Sequence, residues 1–134
     1  MTKTYRGSCH CGDVRFECDL DLSAATSRCN CSMCGKQRFW KAIAKPDAFR
    51  LLTGADALSD YQFNNNIIHH RFCRRCGIRS FAQGHHEALG GTFYAVNVAC
   101  LDDVTPEELA GAKVIYEDGR HGIYDAPPPV TSYL

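Results

Sequence analysis

Ile67-Ile68-His69-His70-Arg71-Phe72-Cys73-Arg74-Arg75-Cys76-Gly77-Ile78-Arg79-Ser80-Phe81-Ala82-Gln83 is the stretch that decides the fold. Two apolar-rich runs, 67–72 and 78–83, flank a Cys-x-x-Cys turn, which reads as a strand, a metal knuckle and a returning strand. A Cys-x-x-Cys turn brings two sulfurs toward one ion while backbone amides point at them. A zinc ion takes four such soft ligands in a tetrahedron, so a knuckle supplies half a site.

The other half lies upstream. Seven of the nine cysteines fall into three groups, Cys9-x-Cys11, Cys29-x-Cys31-x-x-Cys34 and Cys73-x-x-Cys76. Each group ends on a glycine (Gly12, Gly35, Gly77), for which the tight turn predicts a positive φ. Seven thiolates divide into a closed set of four and an open set of three, which predicts two Zn²⁺ ions per chain, one structural and one catalytic. Spacing alone permits two partitions. Cys31 and Cys34 can join Cys73 and Cys76, or Cys9 and Cys11 can do so, leaving Cys29, Cys31 and Cys34 as a contiguous trio. The second is favoured, because one six-residue loop then delivers all three ligands of the open site.

A disulfide scaffold fits less well. The cysteine count is odd, a Cys-x-Cys bridge is strained, and the N-terminus lacks the apolar segment of an export signal. A reducing, cytoplasmic location is expected. With 134 residues, 45% of them hydrophobic, one domain over 1–134 is predicted. Lys plus Arg equals Asp plus Glu at 15 each, which argues against nucleic-acid binding, and no apolar run approaches a membrane span.

Further strands are predicted at 13–18, 39–44, 48–52, 60–63 and 92–99, with Asn64-Asn65-Asn66 as a turn. One short helix is expected from Thr105 to Gly111, with Thr105 as cap, Pro106 first and Glu108 closing a capping box. Asp118-Gly119 between 113–117 and 120–124 signals a type I′ hairpin. The fold class is therefore mainly β: antiparallel sheets stapled by zinc, with one short helix.

Gly7-Ser8-Cys9-His10-Cys11-Gly12, Cys29-Asn30-Cys31-Ser32-Met33-Cys34 and Phe72-Cys73-Arg74-Arg75-Cys76-Gly77 together resemble the glutathione-dependent formaldehyde-activating enzymes and their centromere protein V relatives. The resemblance spans about residues 5 to 80 in motif order. It implies a β-tent fold, a structural zinc on Cys9, Cys11, Cys73 and Cys76, and a catalytic zinc on Cys29, Cys31 and Cys34. It also implies a carbon–sulfur lyase that makes or cleaves S-hydroxymethylglutathione, with glutathione as co-substrate and a small aldehyde or its thiol adduct as partner. Gly35 stands where a basic residue often follows the third ligand of the family.

Three thiolates on Zn²⁺ carry a net charge of −1 and make a weak Lewis acid, suited to thiol chemistry rather than amide hydrolysis. Lys36, Arg38 and Lys41 are candidates to attract the carboxylates of glutathione, or are solvated charges. Phe39 and Trp40 wall the open site or belong to the core, His10 can donate to a sulfur, and Arg74 and Arg75 screen a structural site. His69, His70, His85 and His86 have no ligand spacing, and Cys18 and Cys100 read as small buried apolar groups. The rival to an enzyme is a non-catalytic, zinc-stapled β module that binds a protein partner. Methionine sulfoxide reduction would need a redox-active thiol away from zinc, with Cys100 its late candidate.

Overall fold

A computed structural model describes residues 1–134. In chain order the elements are β1 (Lys3–Ser8), β2 (Arg15–Leu20), β3 (Ala25–Cys29), α1 (Ser32–Gln37), β4 (Lys41–Ala44), β5 (Phe49–Thr53), β6 (Leu58–Tyr61), β7 (His69–Cys73), β8 (Phe81–His86), β9 (Gly91–Asn97), α2 (Pro106–Gly111) and β10 (Lys113–Glu117), joined by short 3₁₀ turns. The fold is mainly β. One sheet has three strands in the order β1-β2-β5, and the other has seven, β10-β3-β4-β9-β8-β7-β6.

The knuckle stretch forms the predicted hairpin, β7 pairing antiparallel with β8 so that His69 opposes Gln83 and Arg71 opposes Phe81. Asn64 and Asn66 take φ of 58° and 56°, as a left-handed turn requires. The capping box of α2 is present, with both the Thr105 and the Glu108 side-chain bonds made.

Four expectations are corrected. There are two α-helices, not one: α1 grows out of the middle of the cysteine trio. Its cap is the Cys31 sulfur, outside the usual Ser, Thr, Asp and Asn repertoire, and its C-cap is Arg38 at φ 52° rather than a glycine. Gly35 therefore sits within that helix, whereas Gly12 and Gly77 do take positive φ, at 84° and 79°. The Asp118-Gly119 pair makes no type I′ hairpin. Asp118 has φ −98°, and a 3₁₀ turn at Gly119–His121 follows, closed by a single bridge to Ile123. Finally, the sheets are not wholly antiparallel, since β10 runs parallel to β3 and places Glu117 opposite Cys29. The strands β1 and β3 had no distinct signal in the sequence.

The core fills the space between the two sheets. Phe16 from β2 and Phe49 from β5 meet Phe81 and Tyr94 of the larger sheet. Phe49 stacks on Tyr94 at 4.3 Å and on Phe16 at 5.5 Å, and touches Phe81 at 4.7 Å. The Phe16 ring is fully buried and lies over Gly7, where any Cβ would collide with it. No helix is long and apolar enough to cross a membrane. Phe16→Ala removes the ring that joins the sheets and is expected to cost about 3–5 kcal/mol, read from the midpoint of urea unfolding.

Candidate metal centre and active site

The sequence builds two thiol clusters by different local means. The first is shared between the sheets. Cys9 and Cys11 lie in the turn after β1, closed by Gly12 N–H donating to Cys9 O at 3.2 Å. Cys73 and Cys76 form the knuckle between β7 and β8, closed by Gly77 N–H donating to Cys73 O at 2.7 Å. All four sulfurs lie within 4.8 Å of one another. Cys9 and Cys11 are 3.7 Å apart, and Cys11 and Cys73 are 3.6 Å apart. Sulfurs about 2.3 Å from a central zinc form a tetrahedron with edges of about 3.8 Å, so this donor set fits a tetrahedral metal. Burial alone would raise the Cys76 thiol, but the backbone N–H groups of Cys11 and Ile78 draw it down to about 6. The Val14 N–H donates to Cys9 Sγ at 3.3 Å in the same way.

The second cluster, Cys29, Cys31 and Cys34, does not converge to that degree, but its three thiols open onto one cavity. Cys31 N–H donates to Cys29 Sγ at 3.4 Å, and Cys34 N–H donates to Cys31 Sγ at 3.3 Å. Hydrogen bonds from Cys29 and then Cys34 pull the Cys31 thiol far down. The same exchange pushes Cys29 and Cys34 up. Within the trio, Cys31 is thus the thiol most disposed to ionise, with Cys29 and Cys34 as its hydrogen-bonding neighbours.

A distant segment holds the trio loop in place. Asn30, buried between two of the cysteines, donates from Nδ2 to Asp118 Oδ1 at 2.7 Å and accepts from Arg120 N–H at 2.9 Å. Gly119 packs so closely that a Cβ there would lie 2.5 Å from Cys29 Sγ and 3.0 Å from Cys31 Cβ. Asp118-Gly119 is therefore the clamp on the trio rather than a hairpin tip.

The cavity has a volume of about 510 Å³, within the range of sites for small organic ligands. One wall is apolar: Phe39, Ala82, Phe93 and Ala95 cluster against Cys34. Phe63 and Ile68 from the β6–β7 connection also line it. The charged groups are cationic. Lys41 pairs with Glu117 at 2.7 Å. Arg79 is only 5% exposed and has no carboxylate partner. Its Cζ sits 4.0 Å from the Phe39 ring centroid, its Nη1 donates to His70 Nδ1, and its Nε and Nη2 have no hydrogen-bond partner. Burial lowers Arg79, and the Cys34 thiol opposes that lowering.

Of the residues singled out in the sequence, Lys41 and Phe39 line the cavity, while Lys36 and Arg38 are exposed away from it. Trp40 instead donates from Nε1 to Thr26 Oγ1 at 2.9 Å. Arg74 and Arg75 are exposed, Arg75 reaching Asp13 at 3.5 Å. Cys18 is fully buried in β2, its thiol pushed up to about 12 by burial. Sequence reading missed the site roles of Arg79, His70, Asn30 and Gly119. Only Arg79 carried a hint, as a charge in the middle of an apolar strand run.

Residues 4–118 match the family model described as glutathione-dependent formaldehyde-activating enzyme. A Rhodobacter sphaeroides protein of known crystal structure superposes with a TM-score of 0.68 at 36% identity, covering 82% of this chain and 99% of the other.

Two measurements test the geometry. Cys76→Ser removes one corner of a cluster that ties two sheets, so the melting temperature should fall by 10 °C or more (about 2 kcal/mol or above). Calorimetry, with elemental zinc analysis alongside, checks it. The second concerns pH. The hydrogen bond from Asn30, helped by His121, holds the Asp118 carboxyl below its usual range. Its stabilisation is therefore present above the ordinary carboxylate value of about 4 and lost as pH falls through the lowered folded value. Asp118→Asn should be less stable at pH 7 and show a flatter acid limb in urea unfolding from pH 7 to 3.

Proposed function

The chain belongs to the glutathione-dependent formaldehyde-activating enzyme family, and from that premise we propose that residues 1–134 work as one unit joining the thiol of glutathione to a small aldehyde, and reversing the step as a carbon–sulfur lyase. The observation that carries this reading is the cavity itself. Three thiols face a 510 Å³ space whose charged lining is cationic, one guanidinium in it lacking any carboxylate partner.

The proposed assignment gives Cys9, Cys11, Cys73 and Cys76 a structural zinc, and Cys29, Cys31 and Cys34 a zinc with one open position. Bound there, a zinc ion would supply a site at which a substrate thiol is held as thiolate. The protein's own residues do the rest. Phe39 and Phe93 give the reacting sulfur an apolar wall, and Arg79 balances the excess negative charge of the thiolates from one side. Lys41, anchored by Glu117, contributes positive potential without leaving a second unpaired charge. Arg120, an exposed residue of the lining, is available to meet a carboxylate of the tripeptide. In the joining direction the sulfur–carbon bond forms as the carbonyl π bond breaks, and the proton lost from the thiol ends on the oxygen.

A purely structural β module that binds a protein partner needs no cavity of this size beside three thiols, which favours the enzyme. Wild-type protein is expected to carry two zinc ions per chain. Cys31→Ser should carry one, keep its fold by circular dichroism, and lose S-hydroxymethylglutathione formation by at least about 100-fold. Full zinc and full activity in Cys31→Ser would overturn the assignment.

A further inference from the structure

We propose that His70, fixed in a single tautomer by Arg79, donates the hydrogen bond that receives the substrate oxygen in the three-cysteine cavity. This deepens the thiol–aldehyde reading and rests on it. The tautomer follows from donor chemistry. A guanidinium only donates, so in the contact between Arg79 Nη1 and His70 Nδ1 the imidazole nitrogen accepts. The ring proton of a neutral His70 then sits on Nε2.

That N–H has nowhere to go inside the protein. His70 is 6% exposed, its Nε2 makes no protein hydrogen bond, and it is not among the sealed-off polar atoms, which are Arg71 Nε, Arg79 Nε and Nη2, and Ser80 Oγ. His70 is one of the residues that line the cavity, and we place the open side of its Nε2 there. The ring plane is held by stacking on Phe63 at 5.3 Å, with Tyr61 at 6.3 Å. Burial, and then the Arg79 charge, push His70 down to about 4, so the ring is neutral at pH 7.

A neutral imidazole N–H is matched to this reaction. When the thiolate sulfur attacks the carbonyl carbon, the π electrons move to oxygen, and a preorganised donor in a water-poor cavity stabilises that charge. The imidazole keeps its own proton; the proton that finally reaches the oxygen is the one the thiol released, carried by water. In the reverse direction the same N–H holds the oxygen as the carbon–sulfur bond breaks and the carbonyl re-forms. Arg79 is a positioning residue here, acting through His70.

The test uses zinc-loaded protein with glutathione and formaldehyde. His70→Phe keeps the stack on Phe63 but removes the N–H. Its zinc content should match wild type and its fold persist by circular dichroism, with a lowered melting temperature because Arg79 Nη1 loses its acceptor, while the rate of adduct formation falls about 100-fold; His70→Gln, which keeps a donor, should recover part of the rate. Nitrogen-15 spectra should show His70 as the Nε2–H tautomer at pH 7 in wild type and Arg79→Lys, but not in Arg79→Met. Its resonance should move on adding the equilibrium mixture of glutathione and formaldehyde. A His70→Phe enzyme at wild-type rate, a charged or Nδ1–H His70, or a resonance indifferent to the mixture would each overturn the donor role. A fully loaded wild type that forms no adduct would instead fail the thiol–aldehyde reading, and the spectra would still decide the state of His70.

Discussion

The convergence of four cysteine sulfurs from two sheets is the constraint on which the rest of this structure depends. Cys9 and Cys11 belong to the turn that starts β2, in the three-stranded sheet. Cys73 and Cys76 belong to the hairpin of β7 and β8, in the seven-stranded sheet. Holding these four within 4.8 Å sets the distance and tilt between the sheets at one end. The aromatic layer of Phe16, Phe49, Phe81 and Tyr94 fills the gap that this pin defines. Four thiols packed so closely repel once ionised, so a cation at their centre adds folding free energy outright.

The second thiol cluster depends on this frame without touching it. Cys29 ends β3 and Cys34 lies in α1, but the cavity around them is made from β7, β8, β9 and the segment after β10. Its polar chemistry is arranged by charge. The three thiols share the cavity with Arg79 and Lys41, and of these two cations Lys41 alone is paired with a carboxylate. An unpaired buried guanidinium is costly in isolation. Here the Cys34 thiol offsets part of that cost, with Cys31 behind it.

The two helices illustrate how far local signals reach. α2 was legible because Thr105, Pro106 and Glu108 form a conventional start. α1 was not, because a sulfur caps it and Arg38, without a glycine's freedom, adopts the left-handed turn that ends it. The Asp118-Gly119 pair misled for a related reason. Its composition suits a hairpin, yet the Asn30–Asp118 hydrogen bond and the closeness of Gly119 to Cys29 draw it into service as a clamp. Long-range contacts overrode the local turn preference of the dipeptide.

By itself the sequence determined the cysteine groups, the knuckle hairpin, the mainly β class and the family, because cysteine spacing and alternating apolar residues are short-range properties readable along the chain. It did not determine what surrounds the open thiols. Arg79 and His70 meet because β7 and β8 pair in one register, and Asn30 meets Asp118 because β10 runs parallel to β3, 88 positions away in sequence. Those encounters depend on strand register and sheet packing, which spacing does not encode. Tertiary structure alone therefore decided which charges, rings and hydrogen-bond donors face the three cysteines.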